Sequence, residues 1–318
     1  MHAPHGERLR RLAVPVAGFA VITGTVAFGI AAEASGRSLG SAQPPLLYRP
    51  DWHASALALP AVAALAAGVA AARRLCSPAL SPPFFAAASL ALGLILRLAV
   101  GAARDGTEGW YAVYEVPNKE SSNEYLPALP AFDFGARFFL DTFAEIGTSL
   151  PVHAIGHPPG LLLSLHALGI ETAGAMAALT IAVGALSIPL VYVLGRGLLD
   201  DGRARAATLL YTFAPSAVLH GVTSADALFA TPAVLAVAAL LARRRILAAL
   251  GPPVFALASF FSYANLAVGA LAAIVVARRD GVRRALALSA SCAVALLAFY
   301  GLLHLLTGFD PIGALRST

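Results

Sequence analysis

The chain has 318 residues, of which 58% are hydrophobic and only 12% charged, with a mean hydropathy of +0.76 and a formal net charge of +5. An average soluble domain carries roughly 25% charged residues, so this composition excludes a disordered chain, a disulfide-rich secreted domain and a soluble two-domain enzyme. It reads as an all-α, polytopic membrane protein.

Apolar runs lie at 12–33, 54–72, 83–103, 173–195, 206–222, 227–243, 246–260, 264–277 and 285–306. A helix needs about 20 residues to cross a ~30 Å hydrocarbon core, so the pattern predicts about nine spans. The first run, behind Arg8, Arg10 and Arg11, reads as a retained signal anchor or, alternatively, a cleaved signal peptide. Residues 1–82 then form an N-terminal transmembrane hairpin, and 83–318 the main transmembrane region. Gly251-Pro252-Pro253 predicts a break in the helical pattern and an irregular hairpin within 246–277. The stretch 158–170 is apolar but short, and predicts a re-entrant or interfacial helix, with two thin tilted spans as the alternative.

The basic residues sit at the ends of apolar runs, in clusters at Arg8–Arg11, Arg73–Arg74, Arg243–Arg245 and Arg278–Arg284. They form no stripe on a soluble face, so nucleic acid is not an expected partner. The excess of arginine on cytoplasmic loops places these clusters inside a cell membrane and the long segment 104–157 on the extracytoplasmic side.

That segment holds eight of the 17 acidic residues and has a net charge of −5, against +10 for the remainder. Its many aromatics, among them Trp110, Tyr114, Tyr125 and Phe139, argue for a folded rather than a disordered loop. Over 134–147, Arg137, Asp141 and Glu145 recur on one helical face, with Phe139, Leu140, Phe143 and Ile146 opposite. The pattern suits a helix in the membrane interface, or a folded part of the loop.

Three carboxylates are candidate proton acceptors. Glu124 lies beside Tyr125 and Leu126, where desolvation raises a carboxyl group's pKa and keeps it useful as a base. Asp105 follows directly on the third span, and Asp133 stands between Phe132 and Phe134. His157-Pro158-Pro159-Gly160 predicts a helix start, a place where backbone amides and an imidazole can meet a phosphate; a structural histidine is the other reading. His153 with His157 makes a poor metal pair, because Pro158 argues against the helix that their spacing needs. Asp226, at a turn between two spans, is either a functional acid or, with Ser224, a helix cap.

Glu124-Tyr125-Leu126, the amphipathic segment after it, His157-Pro158-Pro159-Gly160, Pro215 and Ser224-Ala225-Asp226 occur in an order that resembles the GT-C class of integral membrane glycosyltransferases. The likeness is to the protein-mannosyltransferase-like and lipopolysaccharide-glycosyltransferase-like branch, and covers roughly residues 84–310. It implies GT-C-like architecture and inverting transfer of a sugar from a polyprenyl-phosphate donor to a cell-envelope glycan, lipid or protein acceptor on the extracytoplasmic side. It also implies a loop carboxylate as general base. The family's Asp-Glu pair falls on Asn123-Glu124, which leaves Glu124 as base, with Asp105 and Asp133 as the other candidates. His157 and Arg137 would assist the departing phosphate, and Asp226 and His153 complete the expected substrate-binding set. No metal ligands are expected, and a need for a divalent cation is left open. Relatives usually continue past the point equivalent to Asp310-Pro311, which reads as a truncated member. The competing functions are transport or flipping of a lipid-linked sugar, and a non-catalytic relative. Acids are nearly absent from the apolar runs, which disfavours proton-coupled transport; Arg97 is the clearest charge within a span.

Overall fold

The computed structural model describes residues 16–21, 23–25, 27–28, 31–32, 34–36, 55–115 and 120–317. The chain divides into two units, Met1–Ala54 and Ser55–Thr318. In the first, an apolar helix, α1, covers Val16–Thr25. Arg8–Arg11 and Glu33, on which the choice between anchor and signal peptide turns, lie outside the described residues.

The second unit is helical throughout its described residues. Helices α2 (Leu59–Leu75) and α3 (Pro82–Gly101) pack together. Ser81 precedes α3 in extended conformation, and Pro82 and Pro83 occupy its first turn, where a missing N–H costs nothing. Three short helices follow: α4 (Ala136–Ile146), α5 (Val152–Ile155) and α6 (Gly160–Leu168). Next come α7 (Ala173–Ala185), capped by the Thr172 hydroxyl on the Ala175 amide, and α8 (Ser187–Leu198). Helix α9 (Asp201–Phe213) is capped by Asp200, whose carboxylate accepts the Arg203 amide at 2.9 Å. Helices α10 (Pro215–Thr223) and α11 (Asp226–Leu240) meet at 120°. Then follow α12 (Arg245–Ser259), α13 (Leu266–Asp280), α14 (Val282–Thr307) and α15 (Pro311–Ser317).

Among the described residues, four helices are long and apolar enough to cross a membrane: Ala56–Leu75, Pro82–Gly101, the α7–α8 rod Ala173–Leu198, and Val282–Thr307; the bent pair α10–α11 makes a fifth if it counts as one span. The apolar runs between 206 and 277 become shorter helices. Run 206–222 is cut at Ala214-Pro215, because a residue before proline is pushed to extended backbone, and Ala214 has φ −60° and ψ 125°. The break expected at Gly251-Pro252-Pro253 is absent: both prolines lie inside α12, and the chain turns only at Phe260–Asn265. Proline is tolerated inside a helix where neighbouring helices surround it, and Gly251 and Pro252 are buried while α12 packs on α11 and α14. The stretch 158–170 contains the single nine-residue helix α6, too short to span.

One end of the bundle is stapled by a buried arginine. Arg205 on α9 is 1% exposed. Its Nε donates to Asp201 Oδ2 at 2.7 Å, Nη1 to the Ser77 carbonyl at 2.8 Å and Nη2 to the Leu80 carbonyl at 2.7 Å. All three nitrogens therefore have acceptors, and α9 is tied to the α2–α3 turn. α2 thus belongs with the second unit.

The aromatics of the 104–157 segment build a core of their own. Phe139 and Phe143 of α4 are fully buried, with Phe132 at 4.1 Å from Phe139 and Phe309 at 6.0 Å from Phe143 between ring centroids. Arg137, Asp141 and Glu145 are exposed on the opposite face. The helical phase is as expected, but the protein's own rings, rather than lipid, fill the apolar side.

Candidate functional site

The acidic segment is fastened at two points before it reaches the site. Trp110 Nε1 donates to the Leu98 carbonyl at the end of α3, at 2.8 Å, and the buried Tyr114 hydroxyl lies 3.2 Å from Thr180 Oγ1 on α7. A short 3-10 turn, Ser121–Asn123, then delivers Glu124, whose amide donates to the Ser121 carbonyl. Glu124 is 5% exposed, and its Oε2 has no hydrogen-bond partner. A carboxylate in such a position costs desolvation energy that is repaid only in part. Burial therefore pushes the Glu124 pKa up to about 7; His153 opposes the rise, while Glu120 and Asp226 add to it.

Those neighbours define the site. His153, on α5, has Nε2 at 3.5 Å from Glu120 Oε1. Asp226 opens α11, its amide held by the Ser224 hydroxyl at 3.2 Å, so Ser224 performs the capping and leaves the Asp226 carboxylate unused by the cap. His157 rests on Phe229 of α11, ring centroids 4.5 Å apart, with Tyr125 at 6.3 Å. Its Nδ1 is buried without a partner, and burial lowers its pKa while Asp226 works against that. Burial also raises the pKa of Tyr114 and Tyr125, and the nearby Glu124 and Asp226 charges add to the rise in both.

Of the residues singled out from sequence, His153 and Asp226 thus act electrostatically on both Glu124 and His157. The others do not join them. Asp105 is exposed and paired with Arg104 at 3.7 Å, Asp133 and Arg137 are exposed, and neither Asp105 nor Asp133 is among the charges acting on Glu124. The helix start after His157 differs from expectation too. The Gly160 amide donates to the Phe260 carbonyl at 3.0 Å, and a Cβ at Gly160 would collide with that same carbonyl. The first amide of α6 is thereby spent on the protein rather than offered to a phosphate.

Two groups were not legible as site residues. Glu120 precedes Glu124 by four residues, a spacing that was the available signal, and it adds a second carboxylate. Glu120, Glu124 and His153 each bring one ligand atom within 4.8 Å of the other two. Two carboxylates and an imidazole suit Zn²⁺ or Mn²⁺ by donor type, so these three are the residues that could hold a cation, and His157 stands outside the group. The second is Arg97 of α3, 3% exposed, which lines a cavity of about 220 Å³ together with Asp226.

No family model, curated protein or solved structure matches the chain. The chemistry of the site is therefore argued from its own groups: a buried carboxyl group whose pKa is pushed up to about 7, two imidazoles, and two further carboxylates, Glu120 and Asp226, whose charges act on it. Such a set can take a proton from a hydroxyl group at neutral pH.

Proposed function

We propose that this chain is a multi-pass glycosyltransferase of the cell membrane with GT-C-like architecture, the 104–157 segment lying on the extracytoplasmic side. The count of about nine crossings is reached if the first apolar run 12–33, α9 with α10, and each of α11, α12 and α13 also cross, in short or broken form. The reaction is inverting transfer of a sugar from a polyprenyl-phosphate donor to a hydroxyl of an envelope glycan, lipid or protein. Deprotonated Glu124 accepts the acceptor's hydroxyl proton as its oxygen bonds to the anomeric carbon. The bond from that carbon to the phosphate oxygen breaks, and the polyprenyl phosphate leaves with the electron pair.

The observation that carries this reading is the buried Glu124 side chain, whose Oε2 has no hydrogen-bond partner and whose pKa burial pushes up to about 7. An apolar cavity of about 520 Å³ between α3 and α7, lined by Leu90, Leu94, Leu98, Tyr111 and Ala178, supports a lipid-borne substrate.

The test is turnover of a polyprenyl-phosphate sugar by membranes carrying the wild type, Glu124→Gln or Asp105→Asn. Loss of general-base catalysis is worth about 10²–10⁴-fold, so Glu124→Gln should lose at least 100-fold and Asp105→Asn should retain activity. Equal turnover by wild type and Glu124→Gln, or none by wild type, overturns the reading.

A further inference from the structure

The two buried arginines of the second unit are treated in opposite ways. Every guanidinium nitrogen of Arg205 meets an acceptor, as described above. Arg97, four residues before the end of α3, has Tyr211 as its hydrogen-bonding neighbour, and its Nη1 has no partner at all. Arginine has five N–H donors and stays charged inside proteins, so a buried guanidinium left short of acceptors is costly. A structural staple would resemble Arg205. Arg97 resembles a group held ready for an acceptor from outside the protein.

The surrounding chain makes room for that charge. A Cβ on Gly221 of α10 would collide with the Arg97 guanidinium, and one on Gly184 of α7 would lie 3.3 Å from Nη1 and closer still to Ala227. Two glycines on two helices therefore shape a cradle for one side chain. The Tyr211 hydroxyl that faces it is itself fixed, 2.8 Å from Ser187 Oγ. The cradle opens on the cavity of about 220 Å³, whose other polar lining is Ser216 and His220 of α10 and Asp226 of α11. At ~30 Å³ per water, that volume accommodates a small polar group rather than a lone water. No ion pair joins Arg97 to Asp226 among the described residues, so the cavity presents a cation at one part of its wall and a carboxylate at another.

We propose that this cavity binds the phosphate group of a phosphorylated sugar, with the phosphate on Arg97. The guanidinium fork matches phosphate oxygens, and Ser216 and His220 supply further hydrogen-bond donors. Asp226 repels a bare anion but accepts hydrogen bonds from sugar hydroxyls, so the mixed lining selects an ester of phosphate with a polyol over inorganic phosphate. The sugar phosphate can arrive free in solution or on a lipid; the chemistry at Arg97 is the same. Identifying it as the donor of the transfer reaction rests on the transferase reading, whereas the affinity for the ester does not.

The experiment uses the full chain in nanodiscs, with glucose 1-phosphate or inorganic phosphate in the buffer, or glucosyl farnesyl phosphate in the bilayer. Binding is read by ³¹P line broadening and by thermal shift. One of the two sugar phosphates should bind the wild type more tightly than inorganic phosphate, and Arg97→Gln should weaken that binding by about 10- to 100-fold, with Arg97→Lys in between. Binding of glucose 1-phosphate assigns the free ester as sufficient, binding of glucosyl farnesyl phosphate alone assigns the lipid-borne one, and equal or tighter binding of inorganic phosphate overturns the proposed selectivity. If Arg97→Gln does not fold, the exposed Ser216→Ala/His220→Ala pair decides, with a loss of several-fold expected. Failure of both esters to bind, or unchanged affinity in the folded variants, overturns the proposal. Glu124→Gln should keep the binding. Arg97-dependent binding without any sugar transfer by wild type would leave the cavity assigned and remove the transferase reading; transfer without Arg97-dependent binding would do the reverse.

Discussion

Glu120 Oε1 and His153 Nε2 stand 3.5 Å apart, joining the 3-10 turn that carries Glu124 to the short helix before His157. The pair sets the field in which Glu124 titrates, because the two charges act on it with opposite sign. His153 favours the ionised carboxylate and Glu120 disfavours it.

Removing either partner should therefore move the acidic limb of the pH–rate profile in a known direction. The base works deprotonated, so activity should rise through about pH 7, the value to which burial pushes Glu124. His153→Ala should shift that limb to higher pH, by about 0.5–1 unit, an ordinary size for the loss of a nearby charge. Glu120→Gln should shift it to lower pH. Profiles of turnover against pH for the three proteins check both signs, and shifts in the same direction would contradict the assignment.

The same burial makes Glu124 a stability liability at working pH. Its folded pKa lies above that of an unfolded glutamate, so the protonated form is the one the fold favours. The stability it contributes is fully present below about pH 4.5 and is lost as pH rises through about 7. Glu124→Gln keeps the neutral form's shape and should be more stable than wild type at pH 8, on the order of 2–3 kcal/mol, with the gap closing toward pH 5. Thermal unfolding in detergent at the two pH values measures it. A variant that loses turnover while gaining stability marks a group retained for chemistry rather than for packing.

Part of this site was open to reading from sequence, for physical reasons. Glu124 stands out because Tyr125 and Leu126 follow it, although Asp133 between two phenylalanines is exposed, and Asp226 because an acid at a helix junction is conspicuous. Helical phase was equally readable in α4, where a period of 3.6 separates Phe139 and Phe143 from Asp141 and Glu145. His153 stands out as well, but its pairing with Glu120 does not, since the two meet across more than 30 residues of chain. The Arg97 cradle depends on two glycines from distant helices, which no local pattern shows. Proline misled once and was overlooked once. Pro252 and Pro253 suggest a break that packing between α11 and α14 abolishes, whereas Pro215 ends α9 where the apolar run continues without interruption.

The convergence of Glu120, Glu124 and His153 also fixes how the protein should respond to divalent ions. A base must be free to accept a proton, and a cation held by these three ligands would occupy it. Chelators should leave turnover unchanged, and Zn²⁺ should inhibit in competition with protons, losing potency below about pH 7. Glu120→Gln and His153→Ala should each weaken the inhibition by about tenfold, the usual cost of one lost ligand interaction. Abolition of turnover by a chelator, restored by Zn²⁺ or Mn²⁺, would instead make Glu124 a ligand of a resident ion.

Gly160 offers a test of how the histidine segment is seated. Its amide reaches the Phe260 carbonyl at 3.0 Å, and that approach is open only because no Cβ stands in the way. Gly160→Ala must either push Phe260 aside or draw α6 away from the α12–α13 turn. Overpacking costs about 1–3 kcal/mol, and loss of the hydrogen bond adds about 1 kcal/mol. His157 lies three residues upstream and leans on Phe229 at 4.5 Å, so displacement of α6 should carry the imidazole off that ring. The expected result is a lower unfolding temperature in detergent together with reduced turnover, since Asp226 and His153 act on His157 in this seat. Gly169→Ala, at the other end of α6 with φ +63° and open space around it, should cost stability through backbone strain alone and leave turnover of the folded fraction intact.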